Sequence, residues 1–196
     1  MPEIQRLPII AVIGSGAPDH GNPALAEAVG RLVAELGFHL LTGGGLGVMA
    51  DACRGFASVA GRTGVSIGVI PRSLADDGPK AGYPNPWVEI PILTHLTGRL
   101  GPDGADSRNA INVLSAHRIV ALPGQSGTRA EIQLALRYGK PLLAVLDAGR
   151  LEEERSFREF LANCQVPYRT VRRDGEGDWA LGAVRSFLAP GDPPTD

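Results

Sequence analysis

Ile9-Ile10-Ala11-Val12-Ile13-Gly14-Ser15-Gly16 decides the architecture: an unbroken apolar run, rich in β-branched residues, stops at a Gly-Ser-Gly turn. A strand with one wet face would alternate in polarity. A continuous run implies burial on both faces, as in the middle of a parallel sheet. A helix is expected next. Asn22 is a cap residue, Pro23 suits a first helical turn, and Leu25, Ala28, Val29, Leu32, Val33 and Leu36 recur at helical spacing before Gly37.

The same unit recurs along the chain. A strand at 38–41 leads into Thr42-Gly43-Gly44-Gly45-Leu46-Gly47, and then a helix from about Val48 carries Met49, Ala52 and Phe56 inward. Residues 65–70 read as a strand, 71–86 as a Pro-, Gly- and Asp-rich excursion, 88–93 as a short strand and 98–106 as an irregular stretch. A helix over 107–116 and a strand over 118–122 run into Pro123-Gly124-Gln125-Ser126-Gly127, with the next helix beginning at Thr128. Strands at 142–146 and 168–171 and helices near 157–164 and 180–188 complete the pattern. Parallel strands need crossovers, so the expectation is an α/β fold: a single doubly wound, mostly parallel, Rossmann-like sheet with helices on both faces. One domain over 1–188 and a Pro-rich tail over 189–196 account for the length.

Composition narrows the function. A formal charge of −2 provides no basic field to gather a polyanion, so nucleic acid is not an expected partner. Cys53 and Cys164 are not in a C-x-x-C spacing, and His39, His95 and His117 have no partner at metal-ligand spacing, so neither a disulfide scaffold nor a metal site is expected. No apolar stretch reaches membrane-spanning length, and the opening residues lack a basic start followed by a cleavage site. A cytoplasmic protein without membrane contact is the expectation.

In open α/β sheets, ligands collect outside the carboxyl ends of the strands, near the point where strand order reverses. Three loops here follow strands and approach helices, so backbone N–H groups and positive helix ends can meet an anion. The expected phosphate-binding residues are Gly14, Ser15 and Gly16 in the first loop and Gly43, Gly44, Gly45, Gly47, Val48 and Met49 in the second. Pro123, Gly124, Gln125, Ser126, Gly127 and Thr128 supply the third. The dinucleotide fingerprint fails because Asp19 stands at its third glycine, and no P-loop motif is present. Lys140 precedes a strand at the far end of the sheet, which argues against a pyridoxal phosphate Schiff base.

At Gly43-Gly44-Gly45-Leu46-Gly47-Val48-Met49 and at Pro123-Gly124-Gln125-Ser126-Gly127-Thr128-Arg129-Ala130-Glu131 the chain resembles the LOG ("Lonely Guy") superfamily. That superfamily includes cytokinin-activating nucleoside 5′-monophosphate phosphoribohydrolases, molybdenum cofactor carrier proteins and, more distantly, the DprA/Smf fold. Its second motif usually reads P-G-G-x-G-T-x-x-E, so Gln125 replaces a glycine. The hydrolases place an arginine within M-x-x-R-K. Arg108 falls there, while Ala105 replaces the methionine and Asn109 the lysine; the Arg108-Asn109 pair is more like the carrier branch.

The resemblance implies Arg108 and Glu131 as a catalytic pair, with the carboxylate countering positive charge on the sugar and the guanidinium holding phosphate. Thr128-x-x-Glu131 also reads as a helix capping box, which would occupy the same carboxylate structurally. A cation at a helix start, as Arg108 would be, calls for a nearby anion. The acidic run Glu152 to Glu154 reads as a solvated helix start. Two functions therefore stand. One is hydrolysis of an AMP-like nucleotide to base and ribose 5-phosphate; the other is non-catalytic holding of a nucleotide or a molybdopterin-type ligand. Neither requires a resident cofactor, and a homodimer or higher homo-oligomer is implied by the resemblance alone.

Overall fold

The run at residues 9–13 is a strand, and its two faces feed two different cores. Ile10 and Val12 join one buried layer with Leu25, Val29, Leu40 and Phe56, whereas Ala11 and Ile13 join another with Leu41, Ile119, Ile132 and Leu161. Side chains alternate across a strand, so a chain that is apolar at every position can only sit between two layers.

The computed structural model describes residues 6–17, 21–73, 78–97, 107–173 and 178–189. Among them, seven strands form one sheet: β1 (Ile9–Ile13), β2 (His39–Thr42), β3 (Ser66–Ile70), β4 (Ile90–Leu93), β5 (Arg118–Ala121), β6 (Leu142–Asp147) and β7 (Tyr168–Val171), in the order β4-β3-β2-β1-β5-β6-β7. All neighbours in that order pair in parallel. The helices are α1 (Pro23–Glu35), α2 (Val48–Ala57), α3 (Arg108–Ser115), α4 (Ser126–Arg137), α5 (Arg155–Asn163) and α6 (Gly182–Leu188). Helices α1, α2 and α6 contribute to the first core and α3, α4 and α5 to the second. The doubly wound, Rossmann-like expectation holds, and strand order reverses between β1 and β5.

Local chemistry fixes the ends. Asn22 caps α1, its Oδ1 accepting from the Leu25 amide at 3.1 Å, while its Nδ2 donates to Asp147 Oδ2 at 2.7 Å, tying the start of α1 to the end of β6. Helices α1 and α2 touch backbone to backbone: a Cβ on Gly30 would lie 2.0 Å from the Ala52 carbonyl oxygen.

Several boundaries differ from expectation. Strand β4 begins at Ile90 rather than 88, β2 extends to Thr42, and α4 starts at Ser126 rather than Thr128. A 3-10 turn, Ala148–Arg150, follows β6 with no sequence signal. The loop residue His20, the irregular stretch 98–106 and the tail beyond Ala189 lie outside the described residues. Among the described residues, no helix is long and apolar enough to cross a membrane.

Candidate functional site

Ser15 knots the three glycine loops together. Its amide donates to the Pro123 carbonyl at 3.2 Å, and its own carbonyl accepts from the Val48 amide at 2.9 Å. Two glycines permit this contact. A Cβ on Gly47, whose φ is +62°, would lie 2.5 Å from the Ser15 oxygen, and one on Gly124 would lie 2.9 Å from the Ser15 nitrogen. The turns after β1, β2 and β5 thus meet at one rim of the sheet, at the reversal point.

Beside this knot lies a cavity of about 260 Å³. Gly14, Ser15, Gly16, Met49, Gln125, Ser126, Gly127, Thr128, Arg108 and Glu131 line it, as do Tyr83 and Asn109. The amides of Ser126, Gly127 and Thr128 belong to the first turn of α4 and have no acceptor within the helix, so they form the positive end of its dipole.

The loop after β2 stands behind the cavity rather than along it. Gly43, Gly44, Gly45, Gly47 and Val48 do not line the cavity, and several of their backbone groups are engaged within the fold. The Val48 amide is engaged by Ser15, and the Gly44 amide donates to Thr42 Oγ1 at 3.1 Å. The carbonyls of Gly44 and Gly45 accept from the Asn85 amide at 2.8 Å and from Asn85 Nδ2 at 2.9 Å. Of this loop and its helix start, only Met49 reaches the cavity. Pro123 and Gly124 likewise support the rim through Ser15 and Thr128 rather than line this cavity.

What the loop after β2 does is make room for Arg108. A Cβ on Gly43 would sit 1.9 Å from Arg108 Nη1, so only glycine leaves space for the guanidinium. Arg108 is the first residue of α3, behind Ser107, whose Oγ accepts from the Asn109 amide at 3.2 Å. Arg108 is 8% exposed, yet among the described residues its Nε and Nη1 are buried without a partner. Leaving charged donors unmatched in a protein interior is costly, and an anion is the natural complement.

Glu131 is equally buried and does not cap its helix. Gln125 is the N-cap of α4, without a side-chain cap bond, which places Thr128 inside the first turn; the capping-box reading is corrected accordingly. Instead, Glu131 Oε1 accepts from Asn112 Nδ2 at 3.0 Å across the α3–α4 contact. Burial pushes the Glu131 carboxyl above the ordinary carboxylate range, against the opposing pull of the Arg108 charge and the Asn112 bond.

Sequence reasoning missed Tyr83 and Asn109. Tyr83 lies within the 71–86 excursion and packs on Gly45, where a Cβ would lie 2.5 Å from its ring. Asn109 had a signal in its adjacency to Arg108. Glu154, read as solvated, is 7% exposed, and among the described residues its Oε2 is buried without a partner.

The fold and its rim of glycine loops define a LOG-superfamily, Rossmann-like protein with a polar crevice at the topological switch point. The chain belongs to the SLOG cluster4 family, whose model matches residues 7–170. It is similar to the molybdenum cofactor carrier protein MCP from Chlamydomonas reinhardtii, at 32% identity over 94% of this chain and 100% of that one, with a TM-score of 0.66. The molybdenum cofactor binding protein from Rippkaea orientalis is 30% identical, covering 84% of this chain and 90% of that one, with a TM-score of 0.62. An uncharacterized protein of Archaeoglobus fulgidus is 32% identical over 152 residues, 78% of this chain and 89% of the relative.

Proposed function

We propose that the protein binds a phosphorylated small molecule of the molybdopterin or nucleotide class and holds it without cleaving it. Phosphate would sit between the first-turn amides of α4 and the Arg108 guanidinium. The observation that carries this reading is the pair of buried, unmatched donors on Arg108. The similarity to two molybdenum cofactor proteins supports it, as does the Arg108-Asn109 pair. Calorimetric titration with ribose 5-phosphate and with molybdopterin tests the site. Arg108→Met is expected to weaken both by roughly 30-fold or more, the usual consequence of removing one partner from a buried charge pair. Undiminished affinity in a folded variant overturns the proposal.

Glu131 favours a second reading. A buried carboxylate lining the same cavity is placed to assist hydrolysis of an N-glycosidic bond, in which water adds to the anomeric carbon and the base departs with a proton. Incubation with AMP decides between the two. Adenine release that disappears in Glu131→Gln supports the hydrolase, and its absence at saturating AMP supports the carrier. A homo-oligomer remains the proposed assembly, tested by sedimentation; a filter-binding assay with single-stranded DNA at moderate salt tests the proposed lack of nucleic-acid binding.

A further inference from the structure

On the other side of the Pro123–Gln125 turn lies a second cleft, of about 330 Å³, between that turn and the start of α5. Gln125 lines both cavities and is their common wall. Pro123 and Phe157 supply apolar surface to the second, and Arg129, Ser156, Glu154 and the Arg150–Glu153 ion pair supply its polar groups.

Two of those groups are unsatisfied. Arg129 spends Nη2 on Ser156 Oγ at 2.8 Å and lies over the Phe160 ring at 5.3 Å, but its Nε is buried without an acceptor among the described residues. Glu154 is more than nine-tenths buried, and among the described residues its Oε2 has no donor. Beside the Arg150–Glu153 pair, the cleft thus combines apolar surface with one donor and one acceptor unmatched among the described residues. A flat heterocycle carrying a carbonyl beside ring N–H groups complements such a set: the carbonyl accepts from arginine, and N–H groups donate to carboxylate.

Resting on the phosphate reading of the neighbouring crevice, we infer that this cleft is the heterocycle subsite of the same ligand, with Glu154 and Arg129 recognising the 2-amino-4-oxo pyrimidine edge that guanine and pterins share. Phosphate lies at the start of α4, the ligand crosses Gln125, and the ring lies against Pro123 and Phe157. Adenine presents a ring nitrogen acceptor where this edge presents N–H, so the carboxylate discriminates against it. Burial lifts the Glu154 carboxyl to about 7, so at pH 8 it is mainly ionised and accepts only.

The test is calorimetric titration of the full-length protein at pH 8 with GMP, AMP and ribose 5-phosphate, the last reporting the phosphate arm alone. Wild type is expected to bind GMP at least tenfold more tightly than AMP. Glu154→Gln and Ser156→Trp, the second a change at an exposed position that fills the cleft, are expected to abolish that preference while ribose 5-phosphate binds as before. Equal affinities for GMP and AMP in wild type, or a preference that survives in either folded variant, overturn the heterocycle subsite and leave the phosphate site standing. Failure of ribose 5-phosphate and both nucleotides to bind overturns the phosphate reading and this inference with it.

Discussion

Glu154 titrates in a place that folding makes unfavourable for charge, and this gives stability a readable dependence on pH. Burial lifts its carboxyl from the ordinary 4.5 to about 7, with Asp147 and Glu153 nearby also opposing ionisation, while the Asp147 amide and Arg150 favour it. The folded protein therefore holds this proton more tightly than the unfolded chain does. Its contribution is fully present below about pH 4.5 and is lost as pH rises towards 7. Above that, both states are ionised and the loss is complete. A shift of that size corresponds to about 3 kcal/mol.

Glu154→Gln keeps the shape and an acceptor for the Asp147 amide but cannot ionise. Urea denaturation of wild type and variant at half-unit steps from pH 4 to pH 8 isolates the effect, because Glu131 and Asp51, also pushed up by burial, titrate in both proteins. The variant's stability relative to wild type is expected to rise across pH 4.5 to 7 by up to about 3 kcal/mol and then level off. A difference that stays flat from pH 4 to pH 8 refutes the reasoning.

Gly43→Ala is expected to displace Arg108, since the new Cβ would lie 1.9 Å from Nη1; ribose 5-phosphate titration should show a tenfold or greater loss of affinity. Gly30→Ala brings a Cβ within 2.0 Å of the Ala52 oxygen, a backbone atom that cannot swing aside, so α1 and α2 must separate. Chemical denaturation should register a loss of about 3 kcal/mol. Asn22→Ala removes the α1 cap and the tie to Asp147, for an expected loss of about 1–2 kcal/mol, visible as a lower thermal midpoint.

The fold was legible because its signals are local. An apolar run ending in glycine, repeated between helical periodicities, leaves few topologies once crossovers are required, and residues 9–13 show both faces of the sheet at once. The site was legible in its rim but not in the division of labour there. Gly43 and Arg108 are remote in sequence, and nothing near either one says that the first makes space for the second. Tyr83 and Glu154 show the same limit. The proline-rich excursion gives no hint that its ring covers Gly45, and the run Glu152 to Glu154 does not reveal that its last member turns inward after an unsignalled 3-10 turn.

The start of α4 shows why a local rule can mislead at such a place. Thr128 and Glu131 have the spacing of a capping box, which would begin the helix at Thr128 and consume both side chains at its end. The helix begins two residues earlier, at Ser126, after an N-cap that contributes no side-chain bond. Among the described residues, that leaves the first-turn amides without a side chain to cap them and turns Glu131 towards Asn112 and the cavity. An uncapped helix start, a guanidinium with unmatched donors and a carboxyl raised by burial each reduce the stability of the isolated chain. Their meeting in one crevice, at the point where strand order reverses, is better explained by a ligand that completes all three than by three separate defects in otherwise well-packed layers.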